Sequence, residues 1–345
     1  MYLKYIILFS IFSKTALASD GSFKNRHSLY DHDVIIDLVE ETSNLSLLIK
    51  NKKSKTVIFE SPKDTPPFEA ILAKSKLKMT RGSFLRSHKR KKTCSKVKVD
   101  SSYSTKEVVT LVGEFVGCEL GFKLSIYEDD NDNISISSEL TPVKPSAIKG
   151  LEWTVRLNWK STADEKMIGF GEQFTRINMK GSVLPIISSE QGHGRSAIKP
   201  NGLWNRVSGG GVGAWYSSYA SVPQYISNKN YSLYSSNYEY MEFDFSKEEI
   251  SSLEIQSLNL DISIISREEP LELISEYTKF SGRMKALPEW AHKGPIIALM
   301  GGSKKVDEQI RKLDESAVPY SALWIQDWPG IRKTPVGEKI GRAHV

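Results

Sequence analysis

Within nine residues, from Trp324 to Arg332, the chain sets an amide (Gln326), a carboxylate (Asp327), two indoles (Trp324 and Trp328) and a guanidinium (Arg332). An amide donates and accepts hydrogen bonds, a carboxylate accepts them, and a guanidinium donates from a fixed fork. Apolar discs beside paired hydrogen-bonding groups suit a sugar ring, which has C–H faces and a rim of hydroxyls. Taken alone, Gln326 and Asp327 would equally serve to cap a strand. Trp324 and Trp328 are core or wall as readily as a stacking platform.

The segments around this cluster say how it would be held. The apolar run Tyr320 to Ile325 reads as a buried parallel strand. Ser303 to Ala317 reads as a helix, and Gly294 to Met300 as another strand. Strand, helix, strand is the unit of a parallel α/β sheet or barrel, whose strand ends build the active site. Upstream, from Asp33 to about Ile265, short runs alternate apolar and polar residues. Examples are Phe122, Leu124 and Ile126, returning through Ile134 and Ile136 after an acidic turn. Many short strands at this spacing predict a β-sandwich. The turn Asp129 to Asn133 lacks the Gly and Glu that a calcium loop needs, with Ile134 and Leu140 in their places. A helix should start at Pro270, present Leu271, Ile274, Tyr277 and Phe280 as an apolar face, and stop at Gly282.

Two loops inside the sandwich each join a Glu-Gln pair to glycines: Gly169 to Phe174, with Glu172 and Gln173, and Ser189 to Arg195, with Glu190, Gln191 and Arg195. The plain reading of either is a tight turn with solvated polar groups. Gly209 to Gly213 lacks the Lys-Ser/Thr and strand-to-helix setting of a phosphate cradle, and reads as a loop.

Composition is ordinary for a globular chain of 345 residues, with 39% hydrophobic and 26% charged residues and a net charge of +6. Eleven Lys or Arg lie between Lys74 and Lys98, with Phe84 the one aromatic among them. Nucleic-acid binding calls for stacking aromatics within a basic face, so no nucleic-acid partner is expected; the stretch reads as a solvated basic loop. Arg86 to Arg90 also fits a dibasic processing site. The six histidines are scattered, without metal-ligand spacing.

At the N-terminus, Lys4, an apolar run from Tyr5 to Ser13 and Ala16-Leu17-Ala18 form a secretory leader with an A-x-A cleavage site. The run is too short to span a bilayer, and none later reaches the roughly 20 residues required. The mature chain then starts near Ser19 in the secretory route, extracellular or lysosomal. There Asn44, Asn133 and Asn230 head usable glycosylation sequons, and Cys94 and Cys118 could form a disulfide.

Gly169 to Phe174, Tyr277 to Trp290 and Trp324 to Arg332, in this order, resemble glycoside hydrolase family 31, the α-glucosidase family. Ser189 to Gly192 with Gly194-Arg195, and Gln326-Asp327-Trp328 with Gly330-Ile331-Arg332, are similar to its sulfoquinovosidase-like branch. The resemblance implies a galactose-mutarotase-like β-sandwich (19–283) followed by a (β/α)8 barrel beginning at 284. It also implies a retaining α-glycosidase acting on an α-glycoside through two carboxyl groups about 5–5.5 Å apart, with no cofactor. Both aspartates would sit on later barrel strands, past the last residue of this sequence. Gln326, Asp327 and Trp328 match sugar-binding positions rather than catalytic ones, and Glu172, Gln173, Glu190, Gln191, Arg195 and Arg332 fall in the other matching motifs.

Two positions depart from the sulfoquinovosidase-like pattern. Met300 stands where that branch carries Gln, and Lys339 where it carries the sulfonate-binding Arg; an ammonium neutralises a sulfonate without the bidentate fork. A neutral α-glucoside or α-galactoside is therefore as much expected as a sulfonated sugar. The last six residues, Ile340 to Val345, are what ATC GGA AGA GCA CAC GTC of a common sequencing adapter encodes. They are expected to be read-through, with the native chain continuing from Lys339. A non-catalytic carbohydrate-binding protein and a non-functional truncated product are the alternatives.

Overall fold

The computed structural model describes residues 22–39, 43–80, 83–143, 151–189, 213–325, 331–334 and 337–340. The chain divides into two compact units, Met1–Phe280 and Ser281–Val345.

The first unit is built from strands, as the alternating pattern requires. β1 (Ser22–Ser28), β2 (His32–Val39), β3 (Asn44–Asn51) and β4 (Val57–Glu60) form an antiparallel sheet in that order. β5 (Phe68–Thr80) and β6 (Ser83–Cys94) form a long hairpin. β7 (Val97–Ser104), β8 (Val108–Phe115), β9 (Leu120–Glu128) and β10 (Ile134–Pro142) run as a meander. Then come β11 (Leu151–Lys160), β12 (Met167–Gly171), β13 (Val183–Ile186), β14 (Ser221–Ser227), β15 (Tyr231–Ser235), β16 (Met241–Asp244), β17 (Ile250–Ile255) and β18 (Asn259–Ser266). These strands sort into an eight-stranded sheet, β12-β14-β15-β18-β10-β9-β8-β7, and a six-stranded sheet, β13-β16-β17-β11-β5-β6.

The two larger sheets share one hydrophobic core. Phe68 on β5 meets Phe115 on β8 and Phe122 on β9 at ring-centroid distances of 5.0 and 5.1 Å. Phe170 on β12 meets Phe243 on β16 at 5.2 Å. The buried residues of β2 and β3, Val34, Ile36, Leu47 and Ile49 among them, extend the same core. The β9–β10 hairpin has the expected alternation, with Ile126 opposite Ile136. Its turn is held by Asp129, whose Oδ1 accepts the backbone N–H groups of Asn131 and Asn133 at 2.8 and 2.9 Å. Cys94 and Cys118 are joined, with Cα atoms 6.3 Å apart. The bond ties the end of β6 to the β8–β9 turn, and so one large sheet to the other.

The structure corrects three expectations in this unit. The basic stretch Lys74 to Lys98 is no loop: Lys74 to Thr80 pairs with Ser83 to Lys89 through a regular ladder. The hairpin is held by charge on one face. Arg86 reaches Glu242 at 3.0 Å and lies 4.2 Å over the Tyr240 ring. Arg90 reaches the buried Glu254 at 3.0 Å, and Arg156 also pairs with Glu254. His88 Nε2 lies 3.1 Å from Glu254, near enough to attract but poorly aligned for a hydrogen bond. A paired strand with Arg86 and Arg90 engaged is not the open segment a processing protease needs. Asn133 is buried, its amide donating to Asp129 and accepting from Arg267. Asn44 and Asn230 are exposed. Helix α1 (Pro270–Ser281) forms and Gly282 follows at φ 85°, yet Leu273 is its buried residue while Leu271, Ile274 and Phe280 are exposed. Tyr277 and Phe280 pack on Tyr234.

The second unit contains β19 (Ile296–Leu299), α2 (Ser303–Glu315) and β20 (Ala322–Ile325), and the two strands pair in parallel. The strand–helix–strand order is as expected, but the burial is not. Ile296, Trp324 and Ile325 are exposed, at 56, 66 and 48%, because a two-stranded sheet with one helix covers a single face. β21 (Ile331–Thr334) and β22 (Gly337–Ile340) form an antiparallel hairpin. Among the described residues no helix is long and apolar enough to cross a membrane.

Candidate functional site

The first Glu-Gln loop is an elbow set by sterics. Gly169, Phe170 and Gly171 all have positive φ, at 141, 69 and 77°. For a phenylalanine that region is rarely populated. It is held because the ring is fully buried, 5.4 Å from Tyr225 and near Phe243 and Phe245. A Cβ on Gly171 would stand 2.0 Å from the Ala220 carbonyl oxygen, and one on Gly169 2.8 Å from that of Gln224. Backbone strain of this kind persists only where packing over-determines it. The elbow turns the chain outward: Glu172 is exposed, its N–H donating to Ala220 O at 2.9 Å. Gln173 donates back to Phe170 O at 3.1 Å, bracing the turn.

The entrance to the second loop is fastened to the same place. Ser188 bridges Ser218, and Ser189 N–H donates to Ser218 O at 2.9 Å. Residues Ser218 to Ala220 therefore hold the end of one Glu-Gln loop and the start of the other. Glu190, Gln191 and Arg195 lie outside the described residues, as do Gly209 to Val212. Beside this hub, Arg176 stacks 5.0 Å from the Trp215 ring and Thr175 Oγ1 donates to Trp215 O at 2.8 Å. Tyr219 is 57% exposed. Burial, then the charge of Glu242, pushes the Tyr216 phenol up, so it stays neutral. Sequence reasoning missed Trp215, Tyr219 and the Ser218 hub. The signal available was the aromatic density of Trp215-Tyr216-Ser217-Ser218-Tyr219 straight after a glycine run.

In the second unit Met300 follows the last parallel pair, Leu299 with Ile325, and is 38% exposed. Gly301 and Gly302 then turn the chain into α2 with φ of 111 and 87°. Gln326, Asp327 and Trp328 lie outside the described residues. Arg332 and Lys339 are direct register partners across the β21–β22 hairpin, which places the two cationic positions opposite each other.

Residues 18–244 match the family described as the glycosyl hydrolase 31 N-terminal galactose mutarotase-like domain. The chain belongs to glycosyl hydrolase family 31. The matched residues, with the elbow and the hub among them, are this family's N-terminal domain. Among relatives of family 31 it is 28% identical over 196 residues to a sulfoquinovosidase of Agrobacterium fabrum, covering 56% of this chain and 29% of that protein. It is 25% identical over 224 residues to a sulfoquinovosidase of Escherichia coli, covering 65% and 32%. The chain thus spans about a third of the length of these relatives. In fold it is similar to a GH31 family sulfoquinovosidase from E. rectale solved with an aza-sugar inhibitor. The TM-score is 0.71 at 23% identity, over 86% of this chain and 42% of that one.

Proposed function

We propose that this chain is the N-terminal part of a secreted retaining α-glycosidase, acting on an α-glucoside-like or sulfoquinovoside-like substrate. The observation that carries the reading is the fastening of two Glu-Gln loops to one hub, Ser218 to Ala220, in a family 31 domain. Preorganised polar groups beside exposed aromatics are what a sugar ring needs. In this reading Glu172, Gln173, Glu190, Gln191 and Arg195 belong to the sandwich's share of the site. Gln326 and Asp327, at the end of a barrel strand, bind hydroxyls. Hydrolysis uses two aspartates of later strands, one as nucleophile and one as acid and base. The 345 residues alone are inactive and their first 18 are a leader.

The test is to read the transcript past Lys339, express the complete frame and assay aryl α-glucoside beside aryl α-sulfoquinovoside. Turnover by the complete frame and none by the 345 residues is the expected result. A genuine stop after Val345, or a full frame without the two aspartates, leaves a sugar-binding protein instead. Lys339→Arg in the active frame should raise the sulfoquinovoside-to-glucoside ratio of kcat/KM by roughly tenfold, since a bidentate fork replaces a point charge.

A further inference from the structure

We infer that one face of the β5–β6 hairpin is a docking stripe for an anionic polysaccharide, a glycan bearing sulfate or carboxylate groups. The ladder fixes which side chains share that face. Lys74, Lys76 and Lys78 alternate along β5, about 6.8 Å apart as every second strand residue must be. Lys89 on β6 is the direct partner of Lys74, and Ser87 of Lys76. All four lysines are exposed, and among the described residues none has an ion-pair or hydrogen-bond partner.

The opposite face behaves differently: there Arg86, His88 and Arg90 are drawn onto Glu242 and Glu254. The hairpin thus spends one face on holding itself in place and keeps a row of unneutralised ammonium groups on the other. Setting Lys74 opposite Lys89 destabilises the pairing, a cost that a bound polyanion removes. Charge complementarity names the class of partner, and the other side chains narrow it. Phe84, Leu77 and Met79 belong by register to the opposite face. By register Leu85, opposite Lys78, is the one apolar position at this end of the stripe; a lone leucine is neither the stacking platform a nucleic acid needs nor the apolar face a membrane needs. A linear polyanion that needs neither is the partner left. This inference stands apart from the glycosidase reading and survives its failure.

The test uses the 345-residue protein with heparin as sulfated and polygalacturonate as carboxylated probe, titrated at about 0.15 M salt. The variant Lys74→Gln/Lys76→Gln/Lys78→Gln/Lys89→Gln should bind the preferred probe on the order of thirtyfold more weakly, each exposed pair contributing up to about fivefold. The control Lys63→Gln/Lys106→Gln/Lys285→Gln/Lys304→Gln, equal in charge loss and also exposed, should stay within about threefold of the parent. The proposal is overturned by equal losses in both variants, by no binding of either probe, or by tighter binding to phosphatidylserine vesicles or single-stranded DNA. Should the hairpin variant misfold, lysine acetylation of the parent decides the matter: the probe must protect Lys74, Lys76, Lys78 and Lys89, and protection elsewhere sinks the stripe.

Discussion

Gly171 is fixed by two independent constraints, a φ of 77° and a carbonyl oxygen 2.0 Å from where a Cβ would go. Gly117 has the first constraint alone: its φ is 72° with open space around it. Gly117→Ala should therefore cost about 1 kcal/mol, and Gly171→Ala about 3 kcal/mol or more, both read from urea unfolding midpoints. Equal costs would show that the elbow relaxes freely. A second residue-scale prediction concerns acid. Burial, then Arg86, holds His88 below its ordinary 6.5. Burial alone would raise Glu254, but Arg156 and Arg90 outweigh it and hold it below 4.5. In both cases the unfolded chain takes up protons first as pH falls, so stability is full above each ordinary value and is lost below it. His88→Gln should reduce the loss of unfolding midpoint between about pH 7.5 and about pH 5.5. It should not abolish that loss, because burial depresses His27 in the same sense. An unchanged slope would remove His88 from the clasp. The sequence made the glycines of this elbow visible as a motif. It could not show Phe170 in left-handed backbone, because that conformation is chosen by Tyr225, Phe243 and Phe245, from strands far along the chain.

Among the elements, the disulfide should matter most to the two large sheets it joins. The bond closes a loop across a separation of 24 residues. Replacing Cys94 and Cys118 by Ser should lower stability by about 3 kcal/mol through the freed unfolded chain, read as a shift in the urea midpoint. No shift would mean that the sheets are held by aromatic packing alone. Strands were legible wherever one face meets the core, as in β9, β10 and β18. The β5–β6 hairpin was not, because its period is carried by charged residues that count as loop-forming when the distant carboxylates Glu242 and Glu254 are unseen. Helix α1 was legible in its ends and in part of its packed face. Leu273 lies on the face of Tyr277 and Phe280, at i, i+4 and i+7, while Leu271 at the stripe's far edge stays exposed.

For the whole molecule, the division after Phe280 implies that the sandwich is self-sufficient. Residues 19–283 alone should unfold in one cooperative transition, seen as coincident near- and far-ultraviolet circular dichroism. Separate transitions would mean that residues beyond 283 complete its core. The parallel pairing of β19 with β20 was legible because apolar runs flank a helix. Their exposure was not, since burial depends on neighbours that two strands and one helix do not supply.

The place of β18 in the eight-stranded sheet carries a consequence for how the protein is made. Numbered last of eight, β18 lies between β15 and β10 and pairs with both. Until Ser266 has left the ribosome, a nascent chain holds this sheet as two fragments, each with a raw edge. Translation at about 5–20 residues per second leaves the β15 edge open for about 2–6 seconds and the β10 edge for about 6–25 seconds, the interval in which they are exposed to mispairing. β18 is the keystone, and it arrives last.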